Sequence, residues 1–376
     1  VLGDLERAAK ARPNDAKAQA RYGSALVEAG EASAGIARLR RAATLDPKLT
    51  AAWHNLGLAA ERQGWLDVAA DAYTHVVAAA PDHAGEWIKL GYVLIQLGRY
   101  PEAKRAFTRA AALQPDSSEP LVALASSDFA FFDYDGAISA LKRAAAINPH
   151  SAAALADLAA IQFEHGKRAA AETAIRAALV IAPEAPQHSV FLGHLLFDSP
   201  LSEKRAEAQR VLEHAVALSQ AAGTAADKAV EAEAYYYLGM LARRAGQRDQ
   251  ALADWQHAYA LDPTQPNTLL ALGQALASQG GTGAVEGRKL LAEYQRAQTL
   301  RDNERKLSLQ VEAYPTDGNA RLRYGKLLLA QGNLAHAVWE LQMAVRLHPQ
   351  DVSARHTLAE ALRRQGRTTE AAALTR

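Results

Sequence analysis

An all-α array of antiparallel helix pairs is what this sequence predicts, and three observations predict it. Prolines recur every 34 residues at Pro13, Pro47, Pro81, Pro115, Pro149 and Pro183, and return at Pro263, Pro315 and Pro349. Glycines follow in phase at Gly23, Gly57, Gly91, Gly193, Gly239, Gly273 and Gly325. A second set lies seven residues later at Gly30, Gly64, Gly98, Gly166, Gly246, Gly280, Gly332 and Gly366. The composition is 49% hydrophobic but only 6% aromatic. Alanine, the best helix former, supplies much of the difference. Self-similarity at a fixed period of this length marks a repeat architecture.

Residues 1–15 form a partial unit, in which 1–13 read as a lone second helix with Leu5, Ala8 and Ala9 inward. Setting the first glycine at place eight of 34 gives ten units: 16–49, 50–83, 84–117, 118–151, 152–185, 186–231, 232–265, 266–317, 318–351 and the partial 352–376. In 50–83, Trp53, Leu56, Gly57 and Ala60 share one face of a first helix. Gly64 stands where a left-handed residue ends that helix. Val68, Ala69, Ala72, Tyr73 and Val76 make the inner face of a second helix, and Pro81 stops it. Small residues at Gly57 and Ala69 let the two backbones approach, and Trp53 and Tyr73 fill the space between units.

Two units are overlong. The excess of 12 residues in 186–231 divides between the turn at Ser199 and Pro200 and a stretch ahead of the next first helix. There Thr224 and Asp227 have capping-box spacing. The excess of 18 in 266–317 divides between a turn lengthened by five residues around Gly280, Gly281 and Gly283 and an extended second helix, 285–313. Leu290, Leu291, Tyr294, Ala297, Leu300, Leu307 and Val311 keep a helical stripe through it. Two helices broken near Asp302 and Asn303 are the alternative.

In 84–117, Trp87, Leu90 and Gly91, then Ala103, Phe107, Ala110 and Pro115, carry a recognisable pattern. At these residues the chain resembles the tetratricopeptide repeat family, with its Trp-x-x-Leu-Gly-x-x-Tyr first helix, Ala-x-x-x-Phe second helix and closing Pro. The resemblance covers nearly the whole of 1–376. It implies a right-handed superhelical solenoid in one continuous array, with first helices lining a concave groove. It says little about which partner is bound.

Composition and motifs exclude several function classes. The formal net charge is +1, from 42 Lys and Arg against 41 Asp and Glu. That balance excludes a polyphosphate-binding surface across the whole chain. The absence of cysteine excludes disulfides, thiolate metal sites and cysteine nucleophiles. No apolar run approaches the ~18 residues of a membrane span. Residues 1–13 lack the basic start and apolar core of a signal peptide. The chain starts without methionine and both ends fall inside a unit, so a fragment of a longer protein is expected. Cytoplasm and periplasm both remain open. The 12 histidines form no HExxH motif. Glu213–His214 and Glu164–His165 are sequence neighbours and so face different sides of a helix. The Gly280-Gly281-Thr282-Gly283 stretch, with Gly287-Arg288-Lys289 after it, lacks the spacing and preceding strand of a phosphate loop. No Ser-His-Asp set can be nominated. The C-terminal cations Arg321, Arg323, Lys326, Arg346, Arg355, Arg363, Arg364 and Arg367 read as a solvated face rather than a base-reading code. The expectation is no catalysis, cofactor, metal, nucleic acid or membrane insertion.

Where a partner lies follows from the helical period. With core places four, seven, eight and eleven, the opposite face of a first helix carries places two, five, six, nine and thirteen, with twelve at its edge. Arg21, Asn55 and Lys89 make a polar end. Phe129, Phe163 and Phe197 recur at place twelve, and Phe191, His194, Tyr236, Tyr237 and Met240 join them. Arg243 opens a basic zone. The three place-twelve phenylalanines have a second reading, as packing between neighbouring first helices. Tyr236, Tyr237 and Met240 are expected to lie further from the core and to be exposed.

The family's chaperone-tail clamp needs Lys, Asn and Lys where this chain has Ala20, Ser24 and Gly85. Place six offers Asn55 alone, so there is no asparagine ladder. The resulting reading is a non-catalytic scaffold holding a peptide or helix of a partner protein in its groove. Its aromatics would anchor that segment, and flanking Arg and Lys would steer acidic residues in it. The alternative is a targeting or substrate-selecting array of a larger enzyme, or of an envelope polysaccharide or protein secretion machine. Self-association through uncapped ends is a further expectation.

Overall fold

A computed structural model describes residues 1–374, and among them are twenty-one α-helices and no strand. In order they are α1 (Leu2–Ala11), α2 (Ala16–Glu28), α3 (Ala32–Leu45), α4 (Thr50–Arg62), α5 (Leu66–Ala79), α6 (Ala84–Gln96), α7 (Tyr100–Leu113), α8 (Glu119–Ala130), α9 (Tyr134–Ile147), α10 (Ala152–Glu164) and α11 (Arg168–Ile181). Then come α12 (Pro186–Leu196), α13 (Ser202–Ala222), α14 (Ala225–Arg244), α15 (Arg248–Leu261), α16 (Pro266–Gln279), α17 (Gly281–Ala313), α18 (Gly318–Ala330), α19 (Leu334–Leu347), α20 (Val352–Arg364) and α21 (Thr368–Leu374). This is an all-α solenoid of helix pairs. The chain forms two compact units, one of 1–140 with 304–376 and one of 141–303.

In the first unit, α2 packs on α3, α4 on α5, α6 on α7, α18 on α19 and α20 on α21. The α4–α5 contact shows why the punctuating residues are needed. A Cβ on Gly57 would lie 2.6 Å from Tyr73 Cε1, so only glycine lets the ring sit flat on the first helix. Tyr73 is fully buried, and its hydroxyl donates to Glu61 Oε2 at 2.7 Å. Burial pushes its phenol far above the usual range, with the Glu61 carboxylate adding to the effect. The closing prolines have a second use. The Trp53 and Trp87 indole N–H groups donate to the Pro47 and Pro81 carbonyls at 3.1 and 2.9 Å, so each large ring packs without stranding its donor.

The same unit joins segments 300 residues apart. The Arg367 guanidinium, 1% exposed, makes a two-pronged pair with Asp67, Nη1–Oδ1 at 2.7 Å and Nη2–Oδ2 at 2.9 Å. It also donates to Glu370. Trp65 Nε1–H donates to the Gln365 carbonyl at 3.2 Å, and Gln365 Nε2–H returns a bond to the Gly64 carbonyl at 3.2 Å. Gln342 donates to Asp67, and Arg99 lies 4.4 Å over the Trp339 ring. Helix α19 thereby packs against α5. The face of α20 and α21 turned toward α5 is covered, not bare.

In the second unit, α10 packs on α11, α12 on α13 and α14 on α15. The overlong stretch before 232 becomes extra turns on two helices: α13 has 21 residues and α14 has 20. They meet at Gly223 and at a capping box. Thr224 Oγ1 accepts from the Asp227 N–H at 3.2 Å, and Asp227 Oδ2 accepts from the Thr224 N–H at 3.1 Å. The turn before α17 differs from expectation. Gly280 alone separates α16 from α17, and the extra glycines belong to the start of the 33-residue helix. Further along, a Cβ on Gly287 would lie 2.6 Å from the Gly273 carbonyl oxygen, so Gly273 and Gly287 let α16 and α17 approach backbone to backbone.

Candidate functional site

The first helices of the second unit gather the aromatic residues at places five, six, nine and twelve. Phe163 comes from α10, Phe191 and His194 from α12, Phe197 from the residue after α12, and Tyr236, Tyr237 and Met240 from α14. The rings form one connected cluster. Phe163 meets Phe191 edge-on at 5.9 Å and His194 at 4.8 Å. His194 stacks on Tyr237 at 4.5 Å, Phe197 leans on Tyr237 at 5.3 Å, and Tyr237 meets Tyr236 edge-on at 5.0 Å. Offset and edge contacts of this kind are the favoured aromatic geometries.

Burial divides the cluster into a floor and an upper layer. Tyr237 is only 6% exposed and belongs to the core with Val190, Leu212 and Ala234. Its expected exposure is therefore corrected: α12 and α14 pack together, and place six of α14 slides beneath His194. Phe163, Phe191, His194, Phe197, Tyr236 and Met240 are half-buried. Tyr236 and Met240 also pack against the neighbouring cluster that contains Trp255 and Leu272. Phe129 belongs to the first unit, where it is 38% exposed and meets Tyr134 edge-on at 5.9 Å.

Electrostatics separates the cations from the carboxylates. Burial among the rings, with the Arg168 charge beside it, pushes His194 down to about 4, against a smaller opposing pull from Asp198. The imidazole is thus neutral at pH 7 and behaves as another ring. Arg168 donates to the Leu195 carbonyl at 3.1 and 2.6 Å and to Asp198 Oδ1 at 2.6 Å. It satisfies a carbonyl left over at the end of α12. Arg243 lies 5.6 Å from the Trp255 ring centre, and Arg244 donates to the Asp198 carbonyl at 3.0 Å. Each of these arginines makes a contact within the unit and remains exposed. Glu233, one turn before Tyr236 and Tyr237, has no hydrogen-bond or ion-pair partner among the described residues, and burial pushes its carboxyl up. It occupies place two, a groove position by the helical period. Arg168 starts a second helix and reaches across to its neighbour, which no spacing rule announces.

The polar end lies in the first unit. Asn55 Nδ2–H donates to Ser24 Oγ at 3.0 Å, and Glu86 is shared by His54 at 3.1 Å and Lys89 at 3.6 Å. Arg21 is exposed, at the rim of a cavity of about 500 Å³ between α1, α2 and α4. No group of three or more His, Asp or Glu that could hold a metal occurs among the described residues. No helix among them is long and apolar enough to cross a membrane.

Three family models, each described as tetratricopeptide repeat, match the chain: one at 129–190, one at 84–117 and 232–265, and one at 23–84 and 322–376. Together they span well over half of it. No curated protein matches the chain. Among solved structures, the C-terminal part of a TPR repeat-containing protein from Cytophaga hutchinsonii is 16% identical with a TM-score of 0.52, over 67% of this chain and 98% of that one. MamA is 24% identical with a TM-score of 0.42, over 46% of this chain and 93% of that one. YrrB, described as a TPR protein with an unusual peptide-binding site, is 19% identical with a TM-score of 0.43, over 49% of this chain and 95% of that one. At these identities the likeness is one of fold.

Proposed function

Because the chain belongs to the tetratricopeptide-repeat family, whose arrays serve as protein-interaction scaffolds, we propose that the first-helix face of its second unit is a groove that binds a peptide or helical segment of a partner protein. The connected ring cluster carries this reading. A shelf of half-buried aromatics with Met240 beside it offers the residue types that anchor interfaces. The rings are already ordered by one another, so little side-chain entropy is lost on binding.

The charge pattern chooses the complement. Glu233 shares a helix face with Tyr236 and Tyr237 by its spacing of three and four. Its carboxylate has no partner among the described residues, while the nearby Arg168 already has a carboxylate in Asp198 and Arg243 lies over the Trp255 ring. An apolar segment carrying a lysine or arginine satisfies both the shelf and the carboxylate.

The test is a pull-down from the source organism's lysate with the wild type and with a Tyr236→Ala, Met240→Ala variant checked for folding by circular dichroism. A protein kept by the wild type and released by the folded variant supports the groove. Its binding should also weaken about tenfold in Glu233→Gln, as for a lost charged contact of about 1.4 kcal/mol. Equal retention by both proteins moves the site off this face.

A further inference from the structure

Most of the turns between paired helices share one backbone requirement, the α12–α13 turn being the exception. At Gly30, Gly64, Gly98, Gly166, Gly246, Gly332 and Gly366 the chain passes through φ values of +68° to +87°. In the turn between α8 and α9 the residue that does so is Phe132, at φ +60°, the one non-glycine residue with positive φ among those described. A side chain with a Cβ is disfavoured in that conformation, and a bulky one more so. Core packing does not compensate here, because Phe132 is 61% exposed and the adjacent Phe131 is 49% exposed. The chain thus holds a strained aromatic out in water at a place where glycine serves in seven other turns.

What lies beside the two rings accounts for it. They line a cavity of about 780 Å³ together with Tyr100, Arg105, Arg109 and Ala112 of α7. Lys104 also borders it, but its ammonium is neutralised between Asp128 at 2.7 Å and Asp133 at 2.8 Å. Asp133 in turn is held by Lys104 and by the Gly136 N–H at 2.9 Å. Arg105 has no ion pair among the described residues. Arg109 has one 3.3 Å contact, to an Asp82 side chain that is 85% exposed. Such an exposed pair is worth little and is readily exchanged.

We propose that this turn and α7 form a second docking site, for an acidic peptide segment of a partner protein anchored by one large apolar side chain. The anchor enters between the Phe131 and Phe132 rings and the α7 wall, and carboxylates beside it in sequence meet Arg105 and Arg109. The two exposed arginines that line the cavity set the sign of the charge. The concavity favours a peptide over a bilayer surface, since a cavity receives a single side chain whereas insertion into lipid calls for a bare convex tip. The site uses a second helix and a turn of the first unit, and shares no residue with the aromatic shelf of the second.

Three labelled peptides of about ten residues test this by fluorescence anisotropy on the full chain: a tryptophan flanked by aspartate and glutamate, the same peptide with tryptophan replaced by alanine, and the same peptide with its acids replaced by lysine. The first is expected to bind about tenfold or more tighter than the other two, and to weaken with salt. Arg105→Glu should abolish that preference. Phe132→Gly supplies the control for folding. It relieves the backbone and should raise the melting temperature by about 2–4 °C while lowering affinity for the first peptide about tenfold or more. A Phe132→Gly protein that melts lower identifies the ring as structural and overturns the proposal. So does equal binding of the three peptides. Co-sedimentation with phosphatidylserine-containing vesicles that depends on Phe132, without peptide binding, overturns it in favour of a lipid surface.

Discussion

At the scale of single residues, His194 shows how an aromatic cluster changes an ionisable group. The imidazole is stacked on Tyr237 and edge-on to Phe163, and burial with the Arg168 charge holds its folded-state value down to about 4. The unfolded chain takes up the proton near pH 6.5, so between about 6.5 and 4 the unfolded state binds more protons and stability falls as pH falls. Above that window the histidine is neutral in both states and contributes no pH dependence. The loss across the window is at most about 3 kcal/mol. Denaturant midpoints at pH 7 and pH 5, compared between the wild type and His194→Phe, isolate this term from the other titrating groups. The variant should lose less stability on acidification, and an equal loss would show that the ring accepts a proton in place. Sequence position alone put Phe191 and His194 on the groove face of one first helix and Phe163 at the groove edge of the one before it. It could not show that Tyr237 lies beneath them. A place number gives an angle around one helix, and the burial of Tyr237 depends on how closely α12 approaches α14.

At the scale of elements, the phased prolines and glycines made the helix pairs legible because each marks a physical requirement: a stop, a left-handed turn or a close backbone approach. Where the period breaks, the arithmetic gives only how many residues are extra. The 18 added to 266–317 went into α17 with no lengthened turn, and Gly287 of that helix packs against Gly273, a contact that no count reveals. The capping box at Thr224 was legible because both partners are local in sequence. It starts a 20-residue helix whose first turns lie beyond the repeat core, so it has little tertiary support there. Thr224→Ala should cost about 1 kcal/mol. Amide exchange in the first turn of α14 should accelerate while the turn around Tyr237 is unaffected. Uniform acceleration along the helix would mean that the cap governs its docking rather than its fraying.

At the scale of the whole molecule, a repeat array is expected to be held by contacts between neighbours, so that its two ends fold and open independently. The pair formed by Arg367 and Asp67 breaks that expectation within the first unit. Both groups are nearly buried, and their partners Trp65, Gln365 and Gln342 extend the join between α5 and the last helices. Nothing in the sequence pattern foretold it. The two residues are 300 positions apart, and periodicity describes only contacts that recur. Such a join closes a very long loop, yet loop entropy grows only with the logarithm of length, so a few well-made buried contacts suffice to offset it. The pair is costly to break on one side, because Asp67→Ala leaves a guanidinium that is 1% exposed with Glu370 as its remaining carboxylate. That loss should be about 2–3 kcal/mol, below the cost of a buried charge with no partner, and replacing both members, as Asp67→Ala with Arg367→Met, should recover part of it by removing the half-compensated charge. Hydrogen exchange gives the location as well as the size. In Asp67→Ala, amides of α20 and α21 should open together with those of α5, although about 270 residues lie between α5 and α20 in sequence. If α20 and α21 kept their wild-type protection while α5 lost its own, the two segments would be energetically separate despite their contact. The nearest-neighbour description would then hold for this array after all.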